Sequence, residues 1–446
     1  MKHHNFAAYR PGTFSVDVSN LTPADKLFIP EDMPAFIHEY CHYIQDISTI
    51  SAIFGFSLWL RDVVTLTGIF SKEVGRTISI PLTRDSFGES VNKFRKFYNL
   101  YCGDPNQVHN IEFALHPFQR RTVEEKDIPL DGEVRKFAVN IIEFEGRPQP
   151  LFFGLIALQE VQAFYAQKLA EEKSDPNIQL SVKADSLPSF PYQFGEHLFQ
   201  YYNITADAQT KYVLIDLCLD TIQAPTVFLD VLEELKGSTI EIYKNLEVMI
   251  DIVNATALKR GYSREVALTQ ILPDIINWSK GPGREHLTKA LAWYADLITT
   301  VYKIKTHEPL MQTYFSWPFT ENWELLAELF DFYPPPIYIK DGELLGTKST
   351  LSDVNEKYQE NYDAAETFWF HREIYDLLIA DSITKINEKS ECPIYNTCPV
   401  KDVLDDHYTC KTAPWQIIKG KEKFHCPYGM AAHSFGLWQN NIEINF

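Results

Sequence analysis

The run Ile37-His38-Glu39-Tyr40-Cys41-His42 sets two histidines four residues apart, with a carboxylate directly after the first. Residues four apart on an α-helix share a face, so one helix can offer both imidazoles to a single cation and aim Glu39 at a water bound to that cation. Two neutral imidazoles plus a carboxylate suit zinc, whose open position lowers the pKa of the water it holds. The flanking residues predict such a helix. Glu31 or Asp32 can cap it, Pro34 fits a first turn where its missing N–H costs nothing, and apolar residues recur through Ile37, Ile44, Ile47 and Ile50. Gln45, Asp46 and Thr49 continue a polar stripe along this otherwise apolar, amphipathic element.

A third ligand must come from elsewhere. The apolar periodicity of Phe153 to Leu169 predicts a second helix, and Glu160 lies within it. A carboxylate in such a setting needs a partner or a metal if it faces inward. Its other reading is a solvent-facing residue beside Gln159 and Gln162, with Glu143, Glu196 and His197 as substitutes. A helix with H-E-x-x-H followed by a helix supplying a glutamate resembles the gluzincin branch of the zincin metallopeptidases. The run His38 to Asp46 also resembles the thermolysin-type helix, which has an acid four residues after the second histidine. The resemblance implies a zincin-like core in which His38, His42 and Glu160 are zinc ligands, Glu39 is the general base and Asp46 stands behind the ligands. Phe164 departs from the pattern, since many gluzincins carry an acid four residues after the ligand glutamate.

At 446 residues, 45% of them hydrophobic and 14% aromatic, the chain can bury a sizeable core and predicts two or three domains, or one with large insertions. Its formal charge of −19, with no dense basic cluster, disfavours nucleic acid and anionic lipid as partners. The stretches Arg120 to Lys126 and Lys419 to Lys423 are mixed in sign and read as solvated surface. Neither a signal-peptide core nor a run of roughly 18 uncharged apolar residues is seen, so a soluble, cytoplasmic protein is expected.

Along the chain, Thr13 to Val18 reads as an edge strand, and Thr77 to Pro81 and Lys136 to Phe144 as strands packed beside the first helix. Helical periodicity then dominates: Val213 to Leu219, Val227 to Leu235, Ile240 to Leu258, Ser263 to Trp278, Arg284 to Tyr302, Asn322 to Phe332 and Ala364 to Ile386. After the break at Tyr333 to Pro336, Ile337 to Leu345 around Asp341-Gly342 reads as a hairpin on a surface excursion. The expected class is α+β, predominantly α-helical. Residues 1–205 form a zincin-like catalytic core with inserted strands, 206–388 a helical domain and 389–446 a cysteine-rich metal-binding tail.

Four of the seven cysteines, Cys392, Cys398, Cys410 and Cys426, crowd that tail, and Pro393, Pro399 and Pro427 follow three of them. An odd total suits a reducing compartment, and four thiolates suit a structural Zn2+ or an iron–sulfur cluster, with His407 or His425 able to replace one. Cys41, Cys102 and Cys218 sit among apolar residues and read as core; a nucleophilic Cys41 is the sharper alternative. Tyr165, Tyr201, Tyr202 and His197 are the candidate oxyanion donors. The reaction expected is hydrolysis of a protein or peptide substrate, under the control of a regulatory protein partner or free of it. Two alternatives use the same residues. One is a non-haem iron or other metalloenzyme on the same His/His/Glu site, and the other a non-catalytic zincin-like binding protein.

Overall fold

The helix around the histidines is Met33–Ser48 (α1). It is seen in the computed structural model, which describes residues 8–18, 30–72, 74–80, 82, 98–103, 118–130, 133–146, 150–238, 245–260, 269, 271, 273, 277, 280, 284–321, 323–340, 343–346, 356–379, 391–395, 398, 407–412, 414 and 426–444. Pro34 occupies its first turn and Asp32 its N-cap, without a side-chain cap bond. Thr49 ends it by turning extended, while its N–H and hydroxyl both donate to Gln45 O. Ile50–Lys72 (α2) starts at once. The expected amphipathic stripe does not face water. Every residue of α1 from Pro34 on is buried except Glu39, Gln45, Asp46 and Ser48 included. Polar groups so enclosed must be bonded internally. At the C-terminal end the buried Lys305 Nζ donates to the Ser48 carbonyl oxygen at 2.7 Å and lies 3.3 Å from Asp220 Oδ2, while the Ser48 hydroxyl is buried without a hydrogen-bond partner among the described residues.

Leu155–Lys173 (α3) packs along α1. Two glycines permit its placement. A Cβ on Gly154, at its N-cap, would collide with the backbone of Gly103, and one on Gly195 would collide with the Val161 side chain. Gly195 belongs to Phe194–Tyr201 (α4), a helix not expected from the sequence. The rest of the helical framework is Ala208–Leu219 (α5), Ala224–Leu235 (α6), Leu246–Lys259 (α7), Glu285–Lys305 (α8), Trp317–Thr320 (α9), Trp323–Phe332 (α10) and Glu356–Leu378 (α11), with His407–Thr412 (α12) and Pro427–Ser434 (α13) in the tail. Most of the expected helix Ser263 to Trp278, and the end of the one expected to reach Ile386, lie outside the described residues. α1 is packed by α2, α3 and α8, α3 also meets α5, and α11 meets α8 and α13.

Three small sheets complete an α+β fold that is predominantly helical. Ala8–Arg10 (β1), Ser15–Asp17 (β2), Ile337–Lys340 and Glu343–Gly346 form one sheet, in which the last two strands, β7 and β8, are the expected hairpin. Two expectations are corrected here. β2 is an inner strand, antiparallel to β1 and parallel to β7, and not an edge. The hairpin is no surface excursion either, since Ile337, Tyr338 and Ile339 are buried and β7 is tied to β2. Thr77–Ile80 (β3) pairs in parallel with Asn441–Ile444 (β9). Phe118–Leu130 (β4), which contains the partly exposed stretch Arg120 to Lys126, forms a long antiparallel ribbon with Glu133–Phe144 (β5), to which Leu151–Phe153 (β6) adds. This ribbon is anchored on α6, through Arg121 to Asp230 at 2.7 Å and Asn140 to Thr226 at 3.0 Å. The element flanking α1 is instead the β1–β2 pair. Pairing thus crosses both boundaries read from the sequence.

Among the described residues one stretch, Ile50–Phe70 in α2, is long and apolar enough to cross a membrane, and 72% of it is buried inside the protein. It is a core helix by that burial, and Asp62 within it accepts a hydrogen bond from Tyr375 at 2.6 Å. Burial raises the Asp62 carboxyl to about 7, although Tyr375 and Arg61 oppose the shift. A raised carboxyl binds its proton more tightly in the folded state than in the unfolded one. Ionising it therefore costs stability progressively as pH rises from about 4 through about 7. Asp62→Asn keeps an acceptor for Tyr375 and removes the charge. Thermal unfolding should show a higher Tm for this variant above pH 7, by up to a few kcal/mol in stability, with the gain fading toward pH 4.

Candidate metal centre

His38 and His42 face α3, and there Glu160 meets both. Glu160 Oε2 lies 3.1 Å from His38 Nε2 and 3.3 Å from His42 Nε2. Among the described residues this is the one group of three or more potential ligands whose donor atoms lie within 4.8 Å of one another. The histidines are buried and Glu160 keeps 21% of its side chain exposed, so the site opens on the carboxylate side. Gln159 and Gln162 are buried with it, which removes the reading of a solvent-facing glutamate.

A chain of bonds running away from the site decides which nitrogen of His42 carries a proton. The Gln45 amide donates Nε2–H to Gln159 O at 3.0 Å, and a backbone carbonyl can only accept. Its Oε1 must then be the atom 2.8 Å from His42 Nδ1, and Nδ1 must be the donor. Gln45 Nε2 also donates to Gln162 Oε1 at 2.8 Å, Gln162 Nε2 donates to Asp216 Oδ1 at 3.3 Å, and Ser316 donates to the other oxygen of Asp216. With Nδ1 protonated, His42 Nε2 turns a lone pair toward a carboxylate oxygen unless a cation stands between them. In the protein alone that cation is a proton. Burial works against it, yet the Glu160 charge and hydrogen bond, with Glu39 and Gln45, raise His42 to about 9. Burial alone would raise Glu160 too, but His42 and His38 hold it well below the usual carboxylate range. A divalent ion suits the same place. Ligand atoms around tetrahedral zinc stand roughly 3.3 Å apart, close to the separation of Glu160 Oε2 from each imidazole nitrogen. His38 differs, since its Nδ1 is buried without a partner and its ring lies against Tyr192 at a centroid distance of 5.6 Å.

Glu39 emerges one helical step beyond His38 and accepts the Tyr9 N–H on Oε2 at 2.6 Å. Burial raises its carboxyl, against the pull of the two histidines. Asp46 lies near enough to His42 for their charges to interact, but its hydrogen bonds go elsewhere. Its carboxylate accepts from the Tyr9 hydroxyl and the Gly12 N–H, each at 2.8 Å, and Gln45 is the residue on His42. The angular step of a helix accounts for this, since position 45 turns toward α3 and position 46 toward the β1–β2 loop. Tyr192, which carried no sequence signal, stands close enough that the charge of Glu160 is the main force raising its hydroxyl.

The other candidates lie elsewhere. Glu143 pairs with Arg120 and Glu196 with Lys211. Tyr201 stacks on Phe118 of β4, Tyr202 lies against Tyr201, Tyr165 packs on Phe199, and His197 sits beside Glu196 on α4. Burial raises the thiols of Cys41 and Cys218 far above the ordinary range and that of Cys102 to about 12, which makes each a core residue and a poor nucleophile. In the tail, the Cys392 N–H donates to Cys410 O at 2.9 Å. Burial raises the Cys392 thiol to about 12, and Cys426, Cys410 and Cys398 are near enough to add to the shift. No three of these sulfurs lie within 4.8 Å of one another. The side chain of His407 and all of His425 lie outside the described residues.

The amide relay behind His42 generates a prediction. Gln45→Leu keeps the helix and removes the acceptor that fixes the ring, so zinc affinity should fall about 10–100-fold in competition with a chromogenic chelator. An unchanged affinity would show that the relay does not orient His42. No family model matches the chain, and no curated protein and no solved structure matches it.

Proposed function

We propose that the chain is a zinc-dependent metallopeptidase with a gluzincin-like site on a zincin-like core. The observation that carries this reading is the convergence of His38 Nε2, His42 Nε2 and Glu160 Oε2, with Glu39 on the adjoining helical position. Zinc held there by those three atoms would supply a polarised carbonyl and a water of lowered pKa. Glu39 is the proton carrier. Its Oε2 is engaged by Tyr9, so Oε1 takes the proton from the attacking water and passes it to the leaving nitrogen of a protein or peptide substrate. The hydroxyl of Tyr192, whose ring lies beside that of His38, would donate to the carbonyl oxygen as it gains charge.

Glu39→Gln should lower hydrolysis of fluorescein-labelled casein by about 100-fold or more with zinc content unchanged, because the residue acts on water and is not a ligand. Glu160→Ala should lose zinc in metal analysis, whereas Glu143→Ala and Glu196→Ala should keep it. Iron in place of zinc together with oxygen consumption, or full hydrolysis by the Glu39→Gln protein, would overturn the peptidase reading.

The tail from residue 389 is proposed as a metal-binding module for a structural zinc or an iron–sulfur cluster in a reducing, cytoplasmic setting, one that requires Cys392, Cys398, Cys410 and Cys426 to draw closer together than they stand here. The buried neighbours Cys392 and Cys410 support it. The purified protein should release a second equivalent of zinc on thiol modification, or show visible absorption if the group is an iron–sulfur cluster. A Cys392→Ser/Cys426→Ser double variant should lose either signal. A single equivalent of metal, unaffected by that variant, would remove the module.

A further inference from the structure

Tyr9 grips α1 at three successive positions of one face. Its N–H donates to Glu39 Oε2 at 2.6 Å, its ring lies nearly parallel to that of His42 at 6.1 Å and 22°, and its hydroxyl donates to Asp46 Oδ2 at 2.8 Å. The strand that carries it is fixed. Arg10 pairs with buried Glu373 at 2.8 Å and lies over Trp369, while the Gly12 N–H shares the Asp46 carboxylate. β1 is an edge strand. β2 covers one side, with Tyr9 opposite Val16, and the Tyr9 N–H points to the other side, where an edge strand ordinarily meets water. Here that free donor meets a carboxylate, which makes a short, charge-assisted bond.

We propose that Tyr9 is a positioning residue of the site, whose backbone N–H locks the Glu39 carboxylate with Oε2 turned to β1 and Oε1 turned to the reacting water. The inference rests on the reading of Glu39 as the proton carrier. A free glutamate side chain on a helix samples several rotamers, only some of which aim an oxygen at the ligands. Holding one oxygen fixes the other at no further entropic cost during reaction. The Tyr9 ring covers His42 and its hydroxyl holds the next turn of α1, so the donor and the acceptor are kept in register.

The clamp is a backbone group, which allows it to be separated from the side chain. Tyr9→Ala keeps the N–H and deletes the ring, Tyr9→Phe deletes the hydroxyl alone, and Tyr9→Pro deletes the N–H as well as the ring. Because that N–H faces away from β2, proline removes no sheet bond. With zinc-loaded protein and fluorescein-labelled casein, Tyr9→Phe, which keeps the N–H and the ring, should lose less activity than Tyr9→Pro. Tyr9→Pro should fall about tenfold or more below Tyr9→Ala in kcat, with KM and zinc content equal in the two. A second readout needs no catalysis. In zinc-loaded protein labelled with 15N-tyrosine, the Tyr9 amide proton, identified by its loss in Tyr9→Phe, should lie far downfield and move upfield in Glu39→Gln, since a neutral amide accepts more weakly. An unmoved resonance, or equal kcat for Tyr9→Pro and Tyr9→Ala, overturns the clamp. If wild type leaves casein intact, the peptidase reading falls, and the resonance alone then decides for or against the Tyr9–Glu39 clamp.

Discussion

Two ring nitrogens stand 3.1 and 3.3 Å from one carboxylate oxygen in a part of the molecule where water screens them poorly. The lone pair that His42 Nε2 turns toward that oxygen is repelled until a cation joins it. The charge balance found in the protein, with His42 raised and Glu160 depressed, is how the polypeptide accommodates it with protons alone. The packing of α1 on α3 therefore serves two purposes. It buries apolar surface from both helices, and it holds the two imidazoles and the carboxylate of Glu160 together.

That packing leaves only Met33 and Glu39 of α1 partly exposed, and this shapes the polar residues around it. Gln45, Gln162, Asp216 and Ser316 form a bonded series that ends in a carboxylate, and Lys305 with Asp220 neutralises the C-terminal end of α1. Each would be costly to bury alone. Linked together they fix one arrangement, because rotating any one amide breaks two bonds at once. The direction of donation along the series, set by the Gln159 carbonyl, reaches His42 as a defined tautomer.

The ends of the described chain close over this centre. β1 and β2 seat the β1–β2 loop on Asp46 and the strand itself on Glu39, while α13 packs on α11, whose Glu373 anchors Arg10. The site is thus built from positions 9 to 373, with only His38, Glu39 and His42 contiguous. Sheets assembled from strands hundreds of residues apart give the same message, since β2 with β7 and β3 with β9 are parallel pairs that need long connections.

What the sequence determined by itself is the chemistry of α1. His38, Glu39 and His42 are legible because helical geometry places residues four apart on one face whatever surrounds them, and Pro34 marks where that helix begins. The class was legible for a related reason, since helical periodicity is a local property of the chain. Tertiary structure decided the rest. Glu160 carried only the anomaly of an acid in an apolar helix, and its distance from the histidines depends on how α3 docks, through the close approaches of Gly154 to Gly103 and Gly195 to Val161. Gln45 and Asp46 are equally polar neighbours in sequence, and only the positions of α3 and β1 assign one to His42 and the other to Tyr9. Tyr9 and Tyr192 had no signal at all, because a backbone N–H is identical at every residue and a ring against a histidine is defined by space, not spacing.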